Sequence, residues 1–452
     1  MKTKRNTIIA FIALFLISMV IQITVDNAAN YYDAAGYWAL GKTCGWDVRN
    51  ITSEYRGWVL PYIFSMCYKL GMVFGKEFLG YWIFSSLIFA FTFSFSFATI
   101  AGILGFEGND NGIICAGGIC GIIFYIFFRG LFIYTLSDFW AFSFSLFSVI
   151  LAHKLITQEH EWYKEVLEAF ILGLCLYGTY NIRTIYQFFA VGCIIIMIIA
   201  QICKKKWKKI AITLPGCFLG MIVCAIPQII LNHQIVGKSS WKVLTGDLML
   251  FQLFCGASTG RYATYVGEES QYGAAGMYFI DRIGQTILER AGLTELVSYG
   301  QVIKLFLSHP LDFGGIYARH LINMLYPVYP NQYILDITKD KSLLLLLFYT
   351  IFFIAAFNFV YTIKLKKEKW IWLFLILLPC ICILPGAVEI RFFIALHFMI
   401  YMYAVLGVKQ FVISFREHKV QFIMLYLAGF FCYLAYAGML LASTEAGIAI
   451  IN

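Results

Sequence analysis

Charge is scarce in this chain. Asp, Glu, Lys and Arg make up 13% of its 452 residues, and only 8 residues are proline. So few charges cannot clothe a water-soluble domain, where about a quarter of residues are charged. No CxxC pair and no Cys/His spacing of the zinc-binding kind occurs among the 13 cysteines, which argues against a zinc site or a disulfide framework. A Gly-rich phosphate-binding loop, a nucleophile elbow and a Ser/His/Asp series are all missing, and with them the usual marks of nucleotide-dependent enzymes and serine hydrolases. Internal repeats and low-complexity linkers are missing too.

What is present is apolar: 61% of residues are hydrophobic and 18% aromatic, with 43 Phe and 29 Tyr. This composition places the chain among polytopic membrane proteins, with aromatics available for helix packing and interfacial belts. The net charge of +9 does not point to nucleic acid, because the basic clusters sit between apolar runs as short cytoplasmic loops do. Cys115, Cys120, Cys193, Cys224, Cys380 and Cys382 lie inside those runs and behave as small hydrophobes. Cys44, Cys67 and Cys255 fall outside them, leaving room for one bridge. Lys2, Lys4 and Arg5 precede the run from Thr7 to Val25, which no small-residue cleavage site follows; this predicts a spanning anchor rather than a cleaved signal.

Runs long enough to cross a bilayer fall near 7–25, 80–104, 112–128, 136–154, 166–182, 184–203, 210–231, 342–363, 370–387, 391–408 and 420–442. The segment 58–75, interrupted by Pro61 and Lys69, is ambiguous, and charge decides it. If 58–75 lies along the surface, the N-terminal cluster, Lys204–Lys209, Lys364–Lys369, Lys409, Arg416 and Lys419 all become cytoplasmic. The expectation is an all-α polytopic protein of about eleven transmembrane helices with external interfacial helices. Its N-terminus is cytoplasmic and its C-terminus external. Residues 1–231 form an N-terminal transmembrane module whose first external loop is 26–79. Residues 232–341 form an external region, and 342–452 a C-terminal transmembrane module.

This parity gathers polar residues on the external face. Asp26 and Asp33 would lie about two turns apart on one helical face. A carboxylate in a partly desolvated cleft can serve as a general base, and an aspartate at a membrane exit can equally cap a helix. Asp33 sits in Tyr31-Tyr32-Asp33-Ala34-Ala35-Gly36-Tyr37-Trp38, and Arg56 and Trp58 follow in Tyr55-Arg56-Gly57-Trp58-Val59-Leu60-Pro61. Arg129 and Asp138 bracket a short turn, as a snorkelling arginine and a capping aspartate would. Glu389-Ile390-Arg391 precedes a late span; its arginine can bind a phosphate bidentately or pair with Glu389. Arg183 splits an apolar stretch, and His320 follows Arg319 before an aromatic-proline turn.

At these residues the chain resembles integral-membrane glycosyltransferases of the C superfamily (GT-C). That group includes protein O-mannosyltransferases and the transferases that place aminoarabinose on lipid A. The stretches Asp33–Trp38 and Tyr55–Pro61 look like that group's first external loop, Ser137-Asp138 like its second acidic loop, and Glu389-Ile390-Arg391-Phe392 like a late arginine motif. The family's common Asp-Glu after the first span is Asp26-Asn27 here, so the resemblance leaves Asp26 and Asp33 both open as the acidic residue. It implies a transferase taking sugar from a polyprenyl-phosphate-linked donor to a glycan, lipid or protein acceptor at the outer face of a plasma membrane, bacterial by default. Asp33 or Asp26 would remove the acceptor proton, and Asp138 would position the acceptor. Arg391, Arg183, Arg129 and Arg56 would meet the donor, with Glu389 and His320 beside them, and Tyr37, Trp38 and Trp58 would stack on sugar. No Asp-x-Asp motif in the first loop calls for a divalent metal, and no other cofactor is implied. Two rival readings stand: a transporter or flippase for a lipid-linked saccharide, and an external polysaccharide polymerase or ligase.

Overall fold

The computed structural model describes residues 2–25, 32–52, 56–106, 109–244, 247–266, 275–325, 333–334, 342–362 and 367–450. It is overwhelmingly helical, as apolar runs must be in a bilayer. There the backbone N–H and C=O groups have no water to bond and satisfy one another within each helix. Among the described residues, nine helices are long and apolar enough to cross a membrane. The chain is thus a multi-pass membrane protein. It divides into two compact units, Met1–Ile122, Leu131–Thr245 and Leu365–Pro379 in one, and Ile123–Gly130, Gly246–Lys364 and Cys380–Asn452 in the other.

In the first unit, α1 (Lys2–Val25) is followed by two short helices, α2 (Tyr32–Cys44) and α3 (Val59–Val73), and then by α4 (Leu79–Leu104). Asp33 in the first turn of α2 and Lys42 in its last match the helix dipole. Gly45, at φ +64°, ends the helix in the left-handed conformation. A tight packing core holds α2 against α3. Trp38 is stacked on Phe78 at 4.9 Å and flanked by Phe64 and Tyr81, while its indole N–H donates to Glu77 at 2.7 Å.

The unit continues through α5 (Asp110–Phe128), which runs on into the second unit, then α6 (Asp138–Thr157), α7 (Trp162–Ile182), α8 (Gln187–Cys203) and α9 (Trp207–Val236). Helices α7 and α9 make backbone contact through small residues. A Cβ on Gly173 would lie 1.9 Å from the Cys217 carbonyl oxygen, and one on Gly220 would lie 2.1 Å from that of Phe170. Small residues at a membrane-helix crossing allow this approach.

The second unit contains α10 (Leu248–Ser258), strands β1 (Thr259–Tyr265) and β2 (Ala275–Asp281), then α11 (Arg282–Arg290), α12 (Tyr299–Ser308) and α13 (Pro310–Met324). After β3 (Tyr333–Ile334) come α14 (Ser342–Phe357), α15 (Lys367–Ile383, shared with the first unit), α16 (Ile394–Glu417), α17 (Lys419–Ser443) and β4 (Thr444–Ile450).

The four strands form one sheet in the order β3-β1-β2-β4, which the all-helical expectation did not include. Strands β1 and β2 are an antiparallel pair, and β4 returns from the far end of the chain to pair antiparallel with β2, Asp281 opposite Thr444 and Ala275 opposite Ile450. Of the eleven expected spans, α7 and α15 are outside the nine. Helix α7 carries Lys164, Glu165 and Glu168 near its start, and the apolar part of α15 is short. All thirteen cysteines are free thiols, so Cys44, Cys67 and Cys255 form no bridge.

Candidate functional site

The first unit draws two acidic positions into one polar chain. Asp33 accepts from Arg56 Nη2 at 2.8 Å, and Arg56 Nη1 reaches the Tyr37 hydroxyl at 2.5 Å. The guanidinium also lies over the Tyr37 ring, 4.2 Å from its centroid. Tyr37 in turn donates to Ser137 Oγ at 3.2 Å. Ser137 accepts from Arg183 Nη1 at 3.3 Å, and the same nitrogen lies 2.8 Å from Asp138 Oδ1. The order is therefore Asp33, Arg56, Tyr37, Ser137, Arg183, Asp138, with each carboxylate held by an arginine. Thr135 ties the same turn to α2 by donating to the Ala34 carbonyl at 2.7 Å.

Burial grades this chain. Asp138 is 2% exposed, whereas the Asp33 and Arg56 side chains are 19% and 32% exposed, so the Asp33 end is the accessible one. Burial works against the Arg56 charge, but Tyr37 and Asp33 more than offset it and hold the guanidinium protonated above its ordinary range. Asp138 opens α6, where the helix dipole favours a carboxylate.

A second network sets the arm that carries Arg56. Asn181, at the end of α7, accepts from Val59 N at 2.9 Å through Oδ1 and donates to Gln228 Oε1 at 2.7 Å. Gln228 also accepts from Trp58 N at 3.3 Å and donates to Asn232 at 2.9 Å. The Trp58 indole donates to the Cys224 carbonyl at 3.0 Å. Gly57 lies so close to Asn181 that a Cβ would sit 2.0 Å from its carbonyl oxygen. Two residues beyond Asn181, Arg183 makes its contact with Asp138. One end of α7 thus fixes both arginines of the chain.

In the second unit, Glu389 and Arg391 are both buried and paired, Nε to Oε2 at 2.7 Å. The turn before them is fastened at three points: Ala387 N donates to the Gln252 carbonyl at 2.9 Å, Tyr262 N to that of Val388 at 2.8 Å, and His320 Nδ1 lies 2.7 Å from that of Leu384. His320 Nε2 lies 2.7 Å from the Thr259 carbonyl. An imidazole donates to two carbonyls only when protonated. Burial nonetheless pushes its pKa below the ordinary range, against the pull of both carbonyls and Asp281. Burial, and then Glu389 and Tyr278, push the Tyr262 phenol well above its ordinary range. Arg319 grips Asp281 bidentately at 2.6 and 3.0 Å, while Asp281 caps α11 by accepting from Ile283 N and Gly284 N.

Asp33, Tyr37, Arg56, Asp138 and Arg183 are thereby brought together, and Glu389 and Arg391 form a pair of their own. Arg129 is exposed just beyond α5, and the partner of Asp138 is Arg183. Trp38 is enclosed by aromatic rings, Trp58 is half-buried as an anchor, and His320 joins two backbone segments. Asp26 lies outside the described residues.

Asn181, Gln228, Asn232 and Tyr262 are participants that the sequence reading did not select, and Ser137 entered it only beside Asp138. For Asn181, Gln228 and Asn232 the signal was an amide in an otherwise apolar run. Among the described residues, no three His, Cys, Asp or Glu side chains gather as a metal site would require. The arrangement can present guanidinium groups to a phosphate and a carboxylate to a hydroxyl. No family model matches the chain, and neither a curated protein nor a solved structure matches it.

Proposed function

We propose that this protein is a membrane glycosyltransferase that moves a sugar from a polyprenyl-phosphate donor to an acceptor on the extracytoplasmic face. The observation that carries the reading is the unbroken chain from Asp33 to Asp138. The GT-C resemblance points to Asp138 and to either Asp33 or Asp26, and here Asp33 and Asp138 are each paired with an arginine. Arg56, turning from Asp33 to the donor phosphate, would free the carboxylate it had held. The acceptor oxygen would then attack the anomeric carbon while its proton passes to Asp33. The sugar–phosphate bond breaks, and polyprenyl phosphate leaves with the electron pair. Guanidinium groups that neutralise the phosphate favour that departure. Glu389 and Arg391 are the second place where a phosphate or sugar would bind.

Eleven crossings fit the contacts better than nine. Arg183, at the end of α7, touches Asp138, at the start of α6, which supports a crossing α7 that returns to the side α6 left. Its 21 residues reach about 31 Å, enough for a hydrocarbon core of about 30 Å. Likewise Leu384, just after α15, touches His320, which precedes α14, and this supports a crossing α15. On this reading α3 lies along the surface. Tyr37 touches Ser137, and the even pair of α4 and α5 already lies between them.

The test is incubation of the purified protein with candidate polyprenyl-phosphate sugars and detection of released polyprenyl phosphate. Asp33→Asn is expected to abolish release without loss of expression; full activity in that variant would sink the role given to Asp33. One observation favours the flippase reading. Gln22 donates to Ser86 at 3.1 Å, and Ser86 to Ser18 at 3.0 Å, a polar cluster between two spans. Transport of a lipid-linked saccharide across sealed liposomes without polyprenyl phosphate release would decide for it.

A further inference from the structure

The turn between α8 and α9 reads Lys204-Lys205-Lys206-Trp207-Lys208-Lys209, and its lysines divide into two sets. Three face the neighbouring turn between α6 and α7. Lys204 Nζ donates to the Ile156 carbonyl at 3.1 Å, and Lys206 pairs with Glu159 at 2.7 Å. Lys209, itself buried, pairs with Glu165 at 2.8 Å and donates to the Gln158 carbonyl at 2.5 Å. These contacts clasp the two turns together.

Lys205 and Lys208 take no part in the clasp and are exposed. Lys205 closes α8 at φ +56°, a left-handed position where glycine is the usual occupant and a side chain is strained. On the adjoining turn Lys164 is also exposed, leaning on the Tyr163 ring and reaching Glu161 only at 4.0 Å. Trp162, Tyr163 and Trp207 surround this end of the unit at 68%, 50% and 62% exposure. Large aromatics left bare beside lysines at the ends of spans suit the headgroup level of a bilayer, where indole and phenol bury a ring and keep a polar tip wet. The exposed carboxylates in this stretch are Glu159, paired with Lys206, and Glu161, against exposed Lys164, Lys204, Lys205 and Lys208, so the face keeps a positive excess.

We propose that this face is a binding site for acidic phospholipid headgroups. Lys164, Lys205 and Lys208 meet the headgroup phosphate, and Trp162, Tyr163 and Trp207 seat the lipid at the interface. It stands at the end of α7 remote from Arg183, about 31 Å away along a 21-residue helix, and does not depend on the transferase reading. The exposed aromatics favour a lipid over a soluble acidic partner, since they need an apolar phase beneath the charge.

The full-length protein in neutral detergent would be titrated with phosphatidylglycerol, phosphatidylcholine or glycerol 3-phosphate, and bound lipid counted by native mass spectrometry. Phosphatidylglycerol is expected to bind well above the other two. The double variant Lys205→Gln/Lys208→Gln should lose about twenty-fivefold of that affinity, taking about fivefold per lysine near an anionic surface. Its melting temperature in phosphatidylcholine should not change. Lys209→Gln is the reciprocal control: it should melt earlier yet keep its lipid preference. Equal binding of the two lipids, binding of glycerol 3-phosphate as tight as that of the lipid, or full affinity in the double variant would each overturn the proposal.

Discussion

Replacing Gly57 by alanine tests whether the arm bearing Arg56 is held as described. The added Cβ would lie 2.0 Å from the Asn181 carbonyl oxygen, 2.3 Å from Oδ1 and 2.6 Å from Cγ. Neither partner can give way cheaply. The carbonyl belongs to the α7 backbone, and the side chain is pinned between Val59 N at 2.9 Å and Gln228 at 2.7 Å. The arm must lift instead, and the amides of Trp58 and Val59 then lose their acceptors.

A buried donor without a partner costs about 1–3 kcal/mol, so two such losses give roughly 2–6 kcal/mol. Gly36 supplies the contrast. It lies on an exposed face of α2, and a methyl group added there would meet nothing within 4 Å. Gly36→Ala should therefore stabilise by about 0.5–1 kcal/mol through helix entropy alone. Melting in detergent would be followed together with alkylation of Cys224, whose carbonyl takes the Trp58 indole bond and which should label faster once the arm lifts. If Gly57→Ala melts with the wild type and leaves Cys224 labelling unchanged, the clamp does not hold the arm.

Two further outcomes are expected. Arg183→Ala should destabilise by about 3–5 kcal/mol, because a carboxylate 2% exposed loses the guanidinium beside it. Arg183→Met combined with Asp138→Leu should recover most of that, and a double variant as unstable as the single would refute the pairing energetics. Cysteine tags placed after Gly75, after Gly386 and at Ser239 should all be labelled from one side of sealed vesicles; a tag after Gly386 labelled from the other side would mean that α15 does not cross.

Most helices were legible because each span is an uninterrupted apolar run. Partner choice did not follow. Arg129 stood nearer to Asp138 in sequence, yet Arg183 holds it, because the end of α7 returns to the start of α6 and sequence distance carries no memory of that return. The amide network of Asn181, Gln228 and Asn232 was hidden for the same reason: each member looks like an isolated polar residue until three chain segments meet. The sheet was least visible. Strand β4, Thr444–Ile450, reads as a tail beyond the final apolar run, and only its register against β2 makes it a strand.

That register has a consequence in time. Asp281 is paired with Thr444, about 160 residues later in the chain, and synthesis at about 5–20 residues per second leaves roughly ten to thirty seconds between them. Through that interval β2 waits with one edge unsatisfied, while four more apolar helices emerge and find the bilayer. An open edge is where a stray strand would pair. The pace of helix insertion, rather than the affinity of the strands, therefore sets how long this sheet stays vulnerable to a wrong partner.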